Sequence, residues 1–525
     1  MEKKSVIFLA VLIVVIAILH FIFLKQDELY PVHDEYRSFS ASIQYFHALK
    51  SDPSDFFKKI RSNVIPPLQR LLPVPFYVLF GENTDVMAGV NFLWVIMLVI
   101  STYLLGRKLL TPIYGLIAVI ILLGFPGIIG FSRACHHSVA LTAVVVLSHY
   151  LLISSRFFED KKYTLFWAII NIIGFLIHPY FIFFVIPGVF FYILNIKRSS
   201  PAYRNFFIAC LLMIIIPAIW CLAVLIDKPA RELFFSYLSR CVQSENLGSQ
   251  FSKFIYEIKT FLIPYYGVLY LQISTCYYWV GLISILYAFM EIIRFKKKEL
   301  ICIFLWVVIS FFILIFHPAV LLPKHTIPLL PGVAILITYA IGKVGEKVNI
   351  KFLFILTCSL SIVSFVELKH SKSNPVSNYF IIGKVFPMSK IRNVDEIINI
   401  VREKDKAVEI GVVPDNLCDV NPFIIDVIKY ACAMKKISSR VQFEDLLSLV
   451  DNAMLPSDII DKSDFIFYIE SDFESDFPGY RKEHLLALQD EFKKRLGEFI
   501  FIKEITMDYE TYRLCKIKIF KRIKR

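Results

Sequence analysis

Residues 164–195 read TLFWAIINIIGFLIHPYFIFFVIPGVFFYILN. The stretch is apolar along nearly its whole length, and its sharpest interruption is His178-Pro179. Proline removes a backbone donor and pushes the residue before it out of the helical region, so a turn is expected at this pair. Two short membrane helices then replace one long kinked helix. The difference decides the fold, because a reversal here moves everything downstream to the opposite side of the bilayer.

The apolar character extends in both directions. The 525 residues are 57% hydrophobic and only 19% charged, with a mean hydropathy of +0.63. Runs able to cross a hydrocarbon core of roughly 30 Å fill the first two thirds of the chain. Spans are predicted near 5–24, 86–105, 112–130, 138–154, 164–177, 180–195, 206–226, 275–293, 300–316, 326–342 and 350–367. Ser5–Leu24 lacks the small-residue cleavage site that follows a signal peptide, and reads as an anchor. The expected fold is a polytopic α-helical membrane protein of about eleven transmembrane helices with a C-terminal α/β soluble domain.

Loop charge orients these spans. Glu2-Lys3-Lys4, Arg107-Lys108, Arg156–Lys162, Lys197–Arg204, Arg294–Lys298 and Lys343–Lys351 are basic, and a turn at His178 puts all of them on one side. By the positive-inside rule that side is the cytoplasm. The other side receives the first loop, 25–85, a second long loop from Asp227 to about Ser274, and the tail. Of the net charge of +13, +12 belongs to the membrane part, since Lys369–Arg525 holds 26 basic and 25 acidic residues. Nucleic acid is therefore not an expected partner, while membrane lipids are. The ten cysteines are scattered without a CxxC pair, which argues against a zinc site or a disulfide framework.

The domain expectation is a membrane domain over 1–367 and an extracytoplasmic α/β domain over 368–525. In the latter, Ala407–Val413, Asp464–Glu470 and Tyr512–Phe520 read as strands, and Pro422–Lys436 and Tyr480–Phe499 as amphipathic helices. Abundant Ile and Lys with few Gly fit an AT-rich prokaryotic genome, and hence a plasma (inner) membrane location.

The residues that carry chemistry gather on the outward side. The first loop opens with Val32-His33-Asp34-Glu35-Tyr36-Arg37. Two carboxylates beside the membrane suit general-base or metal work on a membrane-bound substrate. Asp34 also suits the cap of a helix over Glu35–Leu49, and the two roles are compatible. Ile65-Pro66-Pro67-Leu68-Gln69-Arg70 leads into an apolar segment ending at Phe80-Gly81, too short to span and expected to lie in the interface. The turn Ser132-Arg133-Ala134-Cys135-His136-His137-Ser138 places a guanidinium and two imidazoles at a helix mouth. Arg133 there either snorkels to the interface or binds phosphate. His178, His317 and Lys324-His325 mark further outward turns, and ionisable groups at membrane depth are functional candidates by default.

In this order the features resemble the C-type (GT-C) membrane glycosyltransferases, in the branch of protein O-mannosyltransferases and the lipid A aminoarabinose transferase. The match rests on the Asp34-Glu35 loop, Pro66-Pro67-Leu68 running to Phe80-Gly81, the Ser132-Arg133 turn, the His178-Pro179 break and Lys324 through Pro331, and covers residues 1 to 367. The resemblance implies sugar transfer from a polyprenyl-phosphate donor to a lipid, glycan or protein acceptor at the outer face. It assigns Asp34 as general base with Glu35 as partner, and implies inversion. Arg133, Lys324 and His325 would hold the lipid phosphate, with His33, Arg37, Arg70, His136, His137 and His178 as further substrate-binding candidates. A divalent metal ion held by Asp34, Glu35 and His137 is the one cofactor expected as an option. The chain departs from the pattern at Ser138, where relatives often carry an acidic residue, and at His178, where they commonly have lysine. A transporter or flippase of a lipid-linked substrate is the alternative, although such proteins more often show internal repeats or mid-bilayer charges.

Overall fold

The structure is a computed structural model, and it describes residues 2–27, 34–61, 65–196, 200–228, 230–232, 235, 261–262, 268–316, 323–344, 349–370, 384, 393–402, 408–414, 428, 441–444, 456–470, 479–509 and 512–523. Two compact units are present: Met1–Leu24 with Ser38–Phe386, and Lys25–Arg37 with Pro387–Arg525.

In chain order the helices before the sheet are α1 (Glu2–Gln26), α2 (Asp34–Ser51), α3 (Pro53–Arg61), α4 (Leu68–Leu71), α5 (Val74–Phe80), α6 (Thr84–Leu109), α7 (Pro112–Leu123), α8 (Pro126–Ser132) and α9 (Ser138–Ser154). They continue as α10 (Lys161–Ile177), α11 (Phe181–Leu194), α12 (Ser200–Ile226), α13 (Val268–Ile273), α14 (Thr275–Phe295), α15 (Lys298–Phe316), α16 (Leu330–Val344) and α17 (Ile350–His370). A 3-10 helix, Pro323–Leu329, leads directly into α16. Every segment predicted to span is helical, as hydrocarbon requires of a backbone that must satisfy its own hydrogen bonds. Among the described residues, six helices are long and apolar enough to cross a membrane alone, and α7 with α8 makes a seventh. The third predicted span is not straight: α7 and α8 meet at 73°, broken at Gly124-Phe125-Pro126.

The interior is continuous from α6 to α16, with Trp167, Trp306, Tyr103 and Tyr192 among its largest buried side chains. Ile7, Val14, Phe207, Ile214 and Ile219, on α1 and α12, stay exposed and supply an apolar outer face. In lipid, helices gain most from close contact, which favours small residues. Gly115 of α7 shows this, since a Cβ there would lie 2.7 Å from the Tyr103 carbonyl of α6.

His178 ends α10 with an extended backbone (φ −163°, ψ 134°), and α11 begins at Phe181. A Cβ on Gly174 would strike the Phe181 ring. Residues seven apart on one continuous helix are separated by about 10 Å along the axis, so this contact excludes a single continuous helix. The pair of short helices is the structure adopted.

The second unit holds a five-stranded sheet in the order β2-β1-β3-β5-β4, with β1 Val408–Pro414, β2 Val441–Glu444, β3 Phe465–Glu470, β4 Phe499–Tyr509 and β5 Tyr512–Arg522. β1 pairs in parallel with β2 and β3, whereas β5 runs antiparallel to β3 and β4. Strand alternation gives the sheet two buried faces. Val413 and Ile466 pack with Ile459, Ile460, Leu488 and Phe492, while Val412, Phe467 and Ile519 are buried on the other side. The helices are α18 (Val394–Arg402), α19 (Pro456–Lys462) and α20 (Gly479–Lys494).

The three expected strands are therefore present, and β2 and β4 add to them. The expected helix Tyr480–Phe499 is corrected: α20 stops at Lys494, a 3-10 turn spans Leu496–Glu498, and Phe499 starts β4. The apolar run Phe499-Ile500-Phe501-Ile502 pairs with β5 rather than prolonging the helix. Apart from Ile428, the expected helix Pro422–Lys436 lies outside the described residues.

Candidate functional site

The predicted Pro-Pro-Leu segment becomes two short helices, α4 and α5, and Val78, Leu79 and Phe80 at the end of α5 are exposed as an interfacial surface would be. α4 carries Gln69 and Arg70, both buried. The Arg70 carbonyl accepts a 2.7 Å hydrogen bond from Ser42 Oγ of α2, which fixes the turn.

A relay of amides ties this turn to the next one. Asn91 of α6 donates to the carbonyls of Ala134 and, at 3.4 Å, His136. Those acceptors oblige Asn91 to point its NH2 at them, so its Oδ1 faces Gln69 and takes a 2.6 Å bond from Gln69 Nε2. Gln69 and Asn91 thus hold the α4 turn against the turn 133–137.

In that second turn Arg133 follows α8, with its guanidinium 4.2 Å from the centre of the Phe23 ring. His136 and His137 are not helical neighbours as a continued helix would make them; their rings lie 4.1 Å apart, tilted by 33°. His137 stacks on His178 at 4.3 Å and 14°. His178 meets Tyr180 edge-on at 4.9 Å, and Tyr180 meets His325 at 4.7 Å. Ser138 Oγ lies 2.7 Å from His136 Nδ1 and donates at 3.4 Å to the Lys324 carbonyl. Three separated turns thereby come together: 133–138, 178–180 and 324–325.

Arg133, His137, His178, Lys324 and His325 are all half-buried. Burial, followed by the neighbouring charges of His136, His178, His325 and Arg70, pushes His137 well below its usual range. Burial, then His136 and Arg70, push His178 down to about 3. His137 and His178 are consequently neutral near pH 7, and positive charge comes from the arginines and from Lys324, which burial lowers to about 8. The arrangement suits an anion, which relieves the mutual repulsion of cationic groups as it binds.

Asp34 and Glu35 lie in the first turn of α2, in the stretch that groups with the C-terminal unit. Glu35 is buried, and Asp34 is part-exposed with Arg37 at 4.0 Å. His33 and His317 lie outside the described residues. Among the described residues no three His, Cys, Asp or Glu side chains gather as a metal-holding group. Stacked imidazoles such as His137 and His178 do not converge their ring nitrogens on one ion.

Three polar groups of the site had no motif to announce them: Gln69, Asn91 and Gln272 are lone amides in apolar surroundings. Lys384 is a fourth addition, a buried lysine from beyond the last span whose N–H donates to the Gly130 carbonyl of α8 at 3.1 Å.

One family model matches part of the chain, and solved structures share its fold. Residues 65–221 match the family described as dolichyl-phosphate-mannose-protein mannosyltransferase. The fold is similar to that of ArnT from Cupriavidus metallidurans in the apo state, with 12% identity over 97% of each chain and a TM-score of 0.59. It is similar to the same protein bound to undecaprenyl phosphate, with 11% identity over 98% of each chain and a TM-score of 0.56. The oligosaccharyltransferase of Archaeoglobus fulgidus tethered with an acceptor peptide is 10% identical over 96% of this chain and 74% of its own, with a TM-score of 0.55. No curated protein matches the chain in sequence.

Proposed function

We propose that the protein transfers a sugar from a polyprenyl-phosphate donor to a lipid, glycan or protein acceptor at the outer face of a prokaryotic plasma membrane, with inversion at the sugar. The observation that carries this reading is the gathering of His137, His178, Lys324 and His325 from three separated turns, with buried Arg70 acting on the histidines. Such a set suits the phosphate of a lipid carrier, and it stabilises the charge that develops as the sugar departs. ArnT, which has this fold, is known bound to undecaprenyl phosphate.

Asp34 takes the proton of the acceptor hydroxyl, so that the acceptor attacks the sugar directly and no covalent sugar intermediate is needed. Chelation separates two roles for this carboxylate. Unchanged transfer in EDTA leaves it a base alone, whereas loss restored by Mg2+ or Mn2+ makes it a metal ligand as well.

The deciding experiment offers the purified protein a panel of polyprenyl-phosphate sugars. Release of polyprenyl phosphate with transfer or hydrolysis of one sugar is the expected result. Movement of an intact donor across a proteoliposome bilayer without consumption would instead establish the flippase reading. Orientation has its own test: a reporter fused after Arg525 is expected on the non-cytoplasmic side, and a cytoplasmic signal would overturn it.

A further inference from the structure

Lys324 and His325 stand in a 3-10 helix of seven residues, Pro323–Leu329. Such helices have poorer hydrogen-bond geometry than α-helices and seldom exceed three or four residues. This one also contains Pro328, which contributes no N–H. A long run of this kind needs support from outside itself.

Gln272 of α13 gives that support. Its side chain is fully buried, and Nε2 donates to the Pro323 carbonyl at 2.9 Å. Its Oε1 lies 2.7 Å from Thr326 Oγ1. The NH2 must face Pro323, whose carbonyl only accepts, and the Thr326 hydroxyl lies 2.7 Å from both Gln272 Oε1 and the Pro323 carbonyl. The two bonds grip the residues on either side of Lys324-His325 and nothing between them. Gln272 also touches the arginine-bearing segment: a Cβ on Gly127 of α8 would come within 3.1 Å of Gln272 Cβ and Cγ and of Ile327 Cδ1. A side chain at Gly127 would push against both Gln272 and Ile327, so the glycine favours the close approach of α8, α13 and the 3-10 helix.

We infer that Gln272 is a positioning residue for the anion site, holding the turn of Lys324 and His325 in register with the α8 segment that ends at Arg133. This rests on the reading of the site as the seat of the donor phosphate. A buried glutamine that merely braces the fold would show the same contacts, so the test must separate bracing from presentation of charge.

The test uses the full-length protein in nanodiscs with undecaprenyl phosphate as probe, and the variants Gln272→Met, Thr326→Val and Thr326→Ser. Gln272→Met and Thr326→Val should each weaken binding about tenfold, the order expected when charged groups lose sub-ångström placement. Thr326→Ser keeps the hydroxyl and should bind like the parent. Because one clamp is involved, the double variant Gln272→Met/Thr326→Val should be no weaker than Gln272→Met alone. Hydrogen exchange at the amides of residues 324–327 should quicken in the two clamp-breaking variants.

Faster exchange with unchanged affinity would overturn the inference and leave Gln272 a structural brace. If Gln272→Met fails to fold, Thr326→Val and Thr326→Ser still decide, and equal affinities for them would overturn it. If the parent protein does not bind undecaprenyl phosphate, the donor reading falls and takes the inference with it. The exchange data then show whether the clamp exists, which tells the two failures apart.

Discussion

Asp34→Asn should lower the rate of sugar transfer by about 10^2- to 10^4-fold, the range supplied by a positioned general base. Asparagine has nearly the shape of aspartate and keeps a carbonyl acceptor, but it cannot take a proton at neutral pH. The first turn of α2 should therefore persist, since acidic residues there contribute only about 0.3–1 kcal/mol through the helix dipole. The ion pair with Arg37 adds little, because at 4.0 Å and part-exposed it is a weak surface interaction. Melting temperature and donor affinity should stay near those of the parent. Full transfer by the variant would remove Asp34 as the base. Glu35→Gln is the informative companion, because burial of Glu35 makes its loss felt in stability as well as in rate.

How much of this was legible in the chain follows from what each feature demands. Spans were legible because a bilayer asks for long apolar runs, and the break at His178-Pro179 was legible because proline acts locally. The break between α7 and α8 was not. There the proline, Pro126, has no polar residue beside it to mark a turn, so hydropathy alone reads the run as one straight span. Phe499–Ile502 fell to the same ambiguity, since a short apolar run fits a helix end or a strand until its partner β5 is known.

The candidate site divides along a similar line. Arg133, His178, Lys324 and His325 declare themselves because charge near a membrane is costly. Their grouping was suggested only by order along the chain, and the stacking of His137 on His178 is a tertiary fact. Gln69, Asn91 and Gln272 carry no such signal. Their bonds reach across 22, 43 and 54 residues, and a lone amide among apolar neighbours looks alike whether it packs idly or holds a catalytic turn.

Arg70 puts the electrostatics of the site to its hardest test. Its charge adds to burial and to His136 in holding His178 down to about 3, and it lowers His137 too. A phosphodiester donor keeps one negative charge across the working range, so any pH effect on its binding comes from the protein. A group with a depressed pKa is neutral above that value, and a bound anion raises the pKa again. The complex therefore takes up protons that the free protein does not hold, and affinity must rise as pH falls. Arg70→Met should weaken donor binding at pH 7.5 by about 10- to 100-fold, the worth of a charge-assisted hydrogen bond. It also lifts the weakest of the effects that hold His137 and His178 down, burial staying the strongest, so both protonate somewhat more readily. The variant should accordingly recover more of its affinity between pH 7.5 and 5.5 than the parent gains over the same interval. Arg70→Lys should fall between the two, since an ammonium keeps the charge without the planar fork. Binding isotherms for one donor at both pH values check all three statements. An equal deficit at pH 7.5 and 5.5 would mean that Arg70 acts on the ligand without reaching the histidines, and undiminished affinity would remove Arg70 from the phosphate site.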